Sequence, residues 1–178
     1  MPVWLIVGAL VVFFGGGVYF EAYGGWFNEQ VFAPYRTIED VRNFQPKTGD
    51  DWKRLGMLKF ESTCAICHGS DGKGKPGTAP PFVGSEWVLD ESNTARWIRI
   101  PIHGLTGAVM VHGVEYNLNM PAIGTGLNDE ELADVLSYIR SSWGNKAPRI
   151  MPEKVAEVRA ATSSRKVQWT SDELKKVQ

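Results

Sequence analysis

A chain of 178 residues is long enough for one domain with appendages, and its 19 basic and 20 acidic side chains leave a formal net charge of -1. That balance excludes nucleic acid as a partner held by bulk charge. Only two cysteines occur, Cys64 and Cys67, so a framework of disulfides across long loops is excluded as well.

From Val3 to Phe20 the chain runs through 18 uncharged, mostly apolar residues. As a helix these span ~27 Å, close to the thickness of a bilayer core. Residues 1–22 are therefore expected to form a transmembrane anchor, meeting lipid through residues 3–20. No Lys or Arg precedes the run, which favours an uncleaved anchor over a signal peptide. Tyr19, Tyr23, Trp26 and Phe27 at one end and Trp4 at the other are placed as interfacial aromatic belts. Gly15-Gly16-Gly17 weakens the helix and would let another helix come close. Residues 23–50 mix aromatics, Gly, Pro and charge without a period and read as a membrane-proximal linker, with a short helix around 37–44.

Asp50 or Asp51 is placed to cap a helix that reaches the cysteines. The stretch 69–86 is rich in Gly and Pro, which predicts an irregular loop packed on something other than a side-chain core; a bound cofactor would serve. A helix is expected over 93–103, with Pro101 ending or kinking it early. Residues 108–117 read as a hairpin turning at His112-Gly113. Asn128 and Glu131 form a capping box for a helix with Leu132, Val135, Leu136 and Ile139 at helical spacing, ending near Trp143-Gly144. The charge balance then changes. Residues 64–144 hold five basic and nine acidic side chains, and residues 145–178 hold eight and four. In this basic tail Pro152 suits the start of a helix over 152–161, and Thr170 with Glu173 caps another. The acidic region, a partner and anionic lipid are equally open as its docking place.

Cys64-Ala65-Ile66-Cys67-His68 is the CxxCH pattern of c-type haem attachment. Two thiols one helical turn apart can each form a thioether to a vinyl group of one porphyrin, while the adjacent imidazole turns under the ring to reach iron. Zinc would need a fourth ligand, with no second Cys pair and only His103 and His112 remaining. A thioredoxin-like pair would sit in a βαβ unit, which the sequence after His68 does not supply.

Gly56-x-x-x-Phe60-x-x-x-Cys64 resembles the first helix of class I cytochromes c, and Leu136-Ser137-Tyr138 resembles the later helix that crosses it at the small Gly. The resemblance covers residues 51–144, the expected haem domain. It implies an all-α fold, with three to five helices and a small β-hairpin wrapped round one covalently bound haem c, and His68 on the iron. Met57, Met110, Met120, Met151, His103 and His112 are the candidates for the opposite axial position. Asn119-Met120-Pro121 resembles the family's methionine loop and makes Met120 the expected ligand. The resemblance also implies that a Pro carbonyl about a dozen residues past His68 holds the other imidazole nitrogen, here Pro80, with Pro81 as the alternative. Trp87, Trp97, Arg96 and Arg99 are candidate donors to haem propionates. The anchor, the linker, the hairpin and the basic extension 145–178 depart from the family pattern.

Two filled axial positions imply single-electron transfer, with no small-molecule substrate and no enzyme activity of the chain's own. Bacteria attach haem outside the cytoplasm, which with this family places the haem domain in the periplasm at the inner membrane. The stretch from Met120 through Tyr138-Ile139-Arg140 to Trp143-Gly144-Asn145 also resembles bacterial cytochromes that serve membrane redox complexes. The expected partners are thus redox proteins in a multi-subunit membrane complex, such as a quinol-oxidising alternative complex or a haem-copper oxidase assembly. A haem sensor or gas-binding protein with an open sixth position is the alternative.

Overall fold

The computed structural model describes residues 2–24, 37–44, 51–117 and 119–177. It divides into two compact units, Met1–Lys47 and Thr48–Gln178. The first contains α1, a helix over Val3–Tyr23 with none of its residues buried. Its 21 residues are long and apolar enough to cross a membrane. Tyr19 and Tyr23, one turn apart, bring their rings to 4.9 Å. Trp26, Phe27 and Asp50 lie outside the described residues. A second helix, α2 (Ile38–Phe44), falls where a short one was expected. Thr37 and Asp40 cap it reciprocally, the Asp40 amide donating to Thr37 Oγ1 at 3.1 Å and the Thr37 amide to Asp40 Oδ2 at 2.9 Å.

The second unit runs in the order α3 (Asp51–Thr63), α4 (Ala65–His68), α5 (Glu86–Leu89), α6 (Thr94–His103), β1 (Leu105–Thr106), β2 (Ala108–Val111) and β3 (Val114–Asn117). A 3-10 turn at Ile123–Gly126 follows, then α7 (Asp129–Ser141), α8 (Pro152–Ala161), β4 (Trp169–Thr170) and α9 (Ser171–Lys176). The unit is mostly helical, with two sheets of two strands each among the described residues.

Its frame is the crossing of α3 and α7. A Cβ on Gly56 would lie 2.2 Å from the Asp134 carbonyl oxygen and 2.8 Å from Tyr138 Cβ, so only glycine admits this approach. The helix-propensity cost of that glycine, about 1 kcal/mol, is offset by the packing it permits. One turn on, Phe60 is fully buried, with its ring 5.6 Å from that of Tyr138 and 5.0 Å from that of Trp143. The capping box of Asn128 and Glu131 starts α7, and Leu132, Val135, Leu136 and Ile139 all face the core. The hairpin turns at His112 and Gly113, both with positive φ.

Pro101 does not end its helix early. α6 continues to His103, and Gly104 closes it by donating to Ile100 O. The proline still forgoes a bond to Trp97 O, a loss that burial of Pro101 with Ile100 and Ile102 offsets. The basic tail packs on the domain it follows: Val155, Val158 and Leu174 are core residues, and β4 lies parallel to β1, Trp169 opposite Leu105.

Candidate haem site

The cysteines sit where two helices meet. The Cys64 amide closes α3 on Phe60 O at 2.8 Å, and Cys64 O then accepts from Cys67 and His68 as α4 begins. That break leaves Cys64 buried, Cys67 exposed and His68 buried. His68 Nδ1 lies 2.9 Å from Pro80 O. A carbonyl can only accept, so Nδ1 carries the proton and Nε2 keeps its lone pair. Burial holds the imidazole below its usual range, against the opposing pull of the Pro80 bond, and so keeps it neutral. As a free thiol Cys64 is pushed up to about 12, by burial first and then by Cys67.

The loop carrying Pro80 is held by a residue just beyond α7. Asn145 Nδ2 donates to Phe82 O at 3.1 Å and Ile139 O at 2.9 Å, and its Oδ1 accepts from the Gly84 amide at 2.9 Å. Phe82 stacks on the His68 ring, centroids 4.0 Å apart. Arg140, fully buried, donates to Val88 O at 2.6 Å and Pro148 O at 3.2 Å, joining α5 to the start of the tail.

A cleft of about 120 Å³ opens on His68 and is lined by Cys67, Trp97, Val109, Tyr116 and Met120 among others. A smaller one of about 30 Å³ carries Cys64, Leu132 and Leu136. His68, Phe82, Trp97 and Met120 line both. Met120 is fixed by a two-way bridge to Leu105, donating to its carbonyl at 2.8 Å and accepting from its amide at 3.0 Å. The rival ligands are elsewhere. Met57, Met110 and Met151 are exposed. His103 Nε2 pairs with Thr162 Oγ1 at 2.7 Å, and His112 is exposed on the hairpin turn beside Glu86.

Of the four side chains considered for haem propionates, two are engaged: Trp87 Nε1 donates to Met110 O at 2.9 Å, and Arg96 pairs with Asp90. Arg99 has buried donors without partners but faces the Trp169 ring and lines neither cleft. Trp97 lines both clefts, and its Nε1 is buried and unpartnered. A buried donor left unmade costs free energy, so this indole calls for an acceptor brought into the cleft. A neutral imidazole with a free Nε2, two thiols one turn apart, a thioether, apolar walls and one spare N–H fit haem and its acid groups.

The sequence from residue 55 to residue 143 matches the profile of the family Cytochrome c. The chain belongs to the cytochrome c family. This cytochrome c is 37% identical over 89 residues to cytochrome c-552 of Thermus thermophilus, covering 49% of this chain and 67% of that protein. It is 35% identical over 114 residues to the gluconate 2-dehydrogenase cytochrome c subunit of Pantoea cypripedii, covering 62% of this chain and 25% of that subunit. It is 37% identical over 94 residues to the cytochrome c subunit of an alcohol dehydrogenase (quinone) from Gluconacetobacter polyoxogenes, covering 52% and 19%. The chain thus spans a quarter or less of those dehydrogenase subunits. As a single cytochrome c domain it carries one covalently attached haem c and transfers electrons. Sequence reasoning missed Asn145 as the anchor of the Pro80 loop. The triplet Trp143-Gly144-Asn145 carries a family likeness, but a lone Asn after Gly gives no sign that its amide is buried.

Proposed function

We propose that this cytochrome c is a membrane-anchored, single-haem carrier whose haem is joined to Cys64 and Cys67, with His68 and Met120 as the axial pair. The observation that carries the reading is that His68 and Met120 line the same two clefts while every rival methionine and histidine lies off them. Bound haem supplies a one-electron ferrous/ferric couple. Pro80 O orients His68, Trp97 Nε1 would donate to an acid group of the haem, and Met120 would supply the second ligand to its iron, which would leave no site for a substrate. In this reading α1 crosses the bacterial inner membrane and the second unit is periplasmic. Anchoring confines the haem near membrane-bound donors and acceptors and raises its effective concentration there.

We further propose that it works as a subunit of a multi-subunit redox complex. Relatives named as cytochrome subunits of gluconate, alcohol and fructose dehydrogenases support this, as do the extensions on either side of the matched region. Two experiments test the reading. The ferric protein should show the weak near-infrared band of thioether ligation, and Met120→Ala should lose it, lower the potential and admit carbon monoxide. A wild type that binds carbon monoxide freely would instead indicate a gas-binding haem protein. Mild-detergent purification should recover the chain in fixed ratio with dehydrogenase or oxidase subunits; recovery as a lone monomer would count against residence in a complex.

A further inference from the structure

The tail beyond residue 143 lies outside the matched cytochrome c region, yet it grips the segment bearing Met120 from two sides. Upstream, Gln168 Nε2 donates to Met120 O at 2.9 Å and also reaches Asn119 Oδ1. Downstream, Arg159 binds Asp129 at 2.8 Å and the carbonyls of Leu127 and Gly124 at 3.1 and 3.4 Å, holding the 3-10 turn that follows the methionine. Gln168 is itself fixed. The next residue, Trp169, donates to Gly104 O at 3.1 Å. Arg165 lies over the Trp169 ring at 3.5 Å and donates to Gln168 O at 2.8 Å. Gly104 has φ +82°, and a Cβ there would fall 2.5 Å from Met120 O and 2.9 Å from Gln168 Nε2. The three segments meet only because residue 104 has no side chain.

We propose that residues 145–178 form a clamp on the methionine loop, with Gln168 as the positioning residue that keeps Met120 turned into the cleft. The inference rests on Met120 being the axial ligand. A thioether binds iron weakly, and a loop that carries one can swing out to an open state. Hydrogen bonds made only in the closed state shift that equilibrium by their differential worth. The amide of Gln168 bonds the Met120 carbonyl and the Asn119 side chain at once, so losing it weakens a hold shared with the Leu105 bridge and Arg159 without touching the ligand.

The test is cyanide binding to the ferric, haem-loaded full chain in detergent, since cyanide must displace the sixth ligand. Gln168→Ala should bind cyanide roughly tenfold more tightly than wild type, with its unfolding midpoint little changed. Gln168→Glu keeps the length but has no donor when ionised. Its affinity ratio to wild type should be raised at neutral pH and fall back as acid restores an O–H donor. Met120→Ala sets the fully open limit. If wild type shows the thioether band and both Gln168 variants stay within twofold of it in cyanide affinity, the clamp is wrong while the ligand stands. A lowered unfolding midpoint with unmoved cyanide affinity would reduce Gln168 to a packing role and equally overturn the clamp. If wild type lacks the band, the ligand assignment itself fails and the clamp goes with it.

Discussion

Asn145 spends one side-chain amide on three backbone groups, two carbonyls and an N–H. Asn145→Ala strands all three in a buried place, at a cost of ~2–4 kcal/mol read from urea unfolding of the haem-loaded chain. Asn145→Asp keeps the acceptor for Gly84 but turns a carboxylate oxygen toward the Phe82 and Ile139 carbonyls, and should cost at least as much at neutral pH. His103 gives a pH dependence. Thr162 Oγ1 donates to Val158 O, so it accepts from His103 Nε2–H. Burial, then Arg165, Arg159 and Lys166, hold that imidazole below its usual range. As pH falls through about 6.5 the unfolded chain takes the proton first, so the stability His103 contributes above that pH is lost toward the lower folded value. Wild type should therefore lose more stability than His103→Gln between neutral pH and about 5, measured as denaturant midpoints; a larger loss in the variant would refute the assignment. At this scale the CxxCH spacing reads directly as the proposed attachment site, because covalent chemistry fixes it. Met120 stood out only through resemblance to a known loop. Trp97 could not be separated from Trp87, Arg96 and Arg99 until their partners were seen.

Helices were legible where local rules dominate. The capping boxes at Asn128 and Thr170 and the proline start at Pro152 lie as the sequence predicts. Pro101 misled because local propensity is outweighed by burial: Ile98, Ile100, Pro101 and Ile102 are all buried. The pairing of β1 with β4 had no signal at all: two-residue strands have no period, and nothing local links Leu105 to Trp169. The crossing of α3 and α7 is where an element can be tested. Gly56→Ala gains about 1 kcal/mol of helix propensity but drives a methyl into the Asp134 carbonyl. Overpacking of that kind costs ~1–3 kcal/mol or more, so the net effect is destabilising by chemical unfolding, and Gly56→Val is worse.

For the molecule as a whole, the boundary between Lys47 and Thr48 separates the apolar helix from the unit holding the site. A chain begun at Thr48 should stay in the aqueous phase with an unchanged haem spectrum, whereas the full chain should resist carbonate extraction from membranes. Extraction of the full chain would remove the anchor from the reading. Composition told where the basic excess begins but not where it docks. Several of its charges pair with the domain or within the tail, as Arg149 with Asp134, Arg159 with Asp129 and Arg165 with Glu173.

The parallel pairing of β4 with β1 also sets an order of events during synthesis. It joins positions 105 and 169, a contact whose closure entropy is met before it returns any binding. Domains form from the N-terminus as the chain emerges, so residues 64–68 leave the ribosome well ahead of the tail. On the proposed attachment, the thioethers can form on an open half-domain while the methionine side is still slack. If Met120 is the ligand as proposed, docking of the last helices would be what secures it, and chains stalled short of that step should accumulate in a high-spin form.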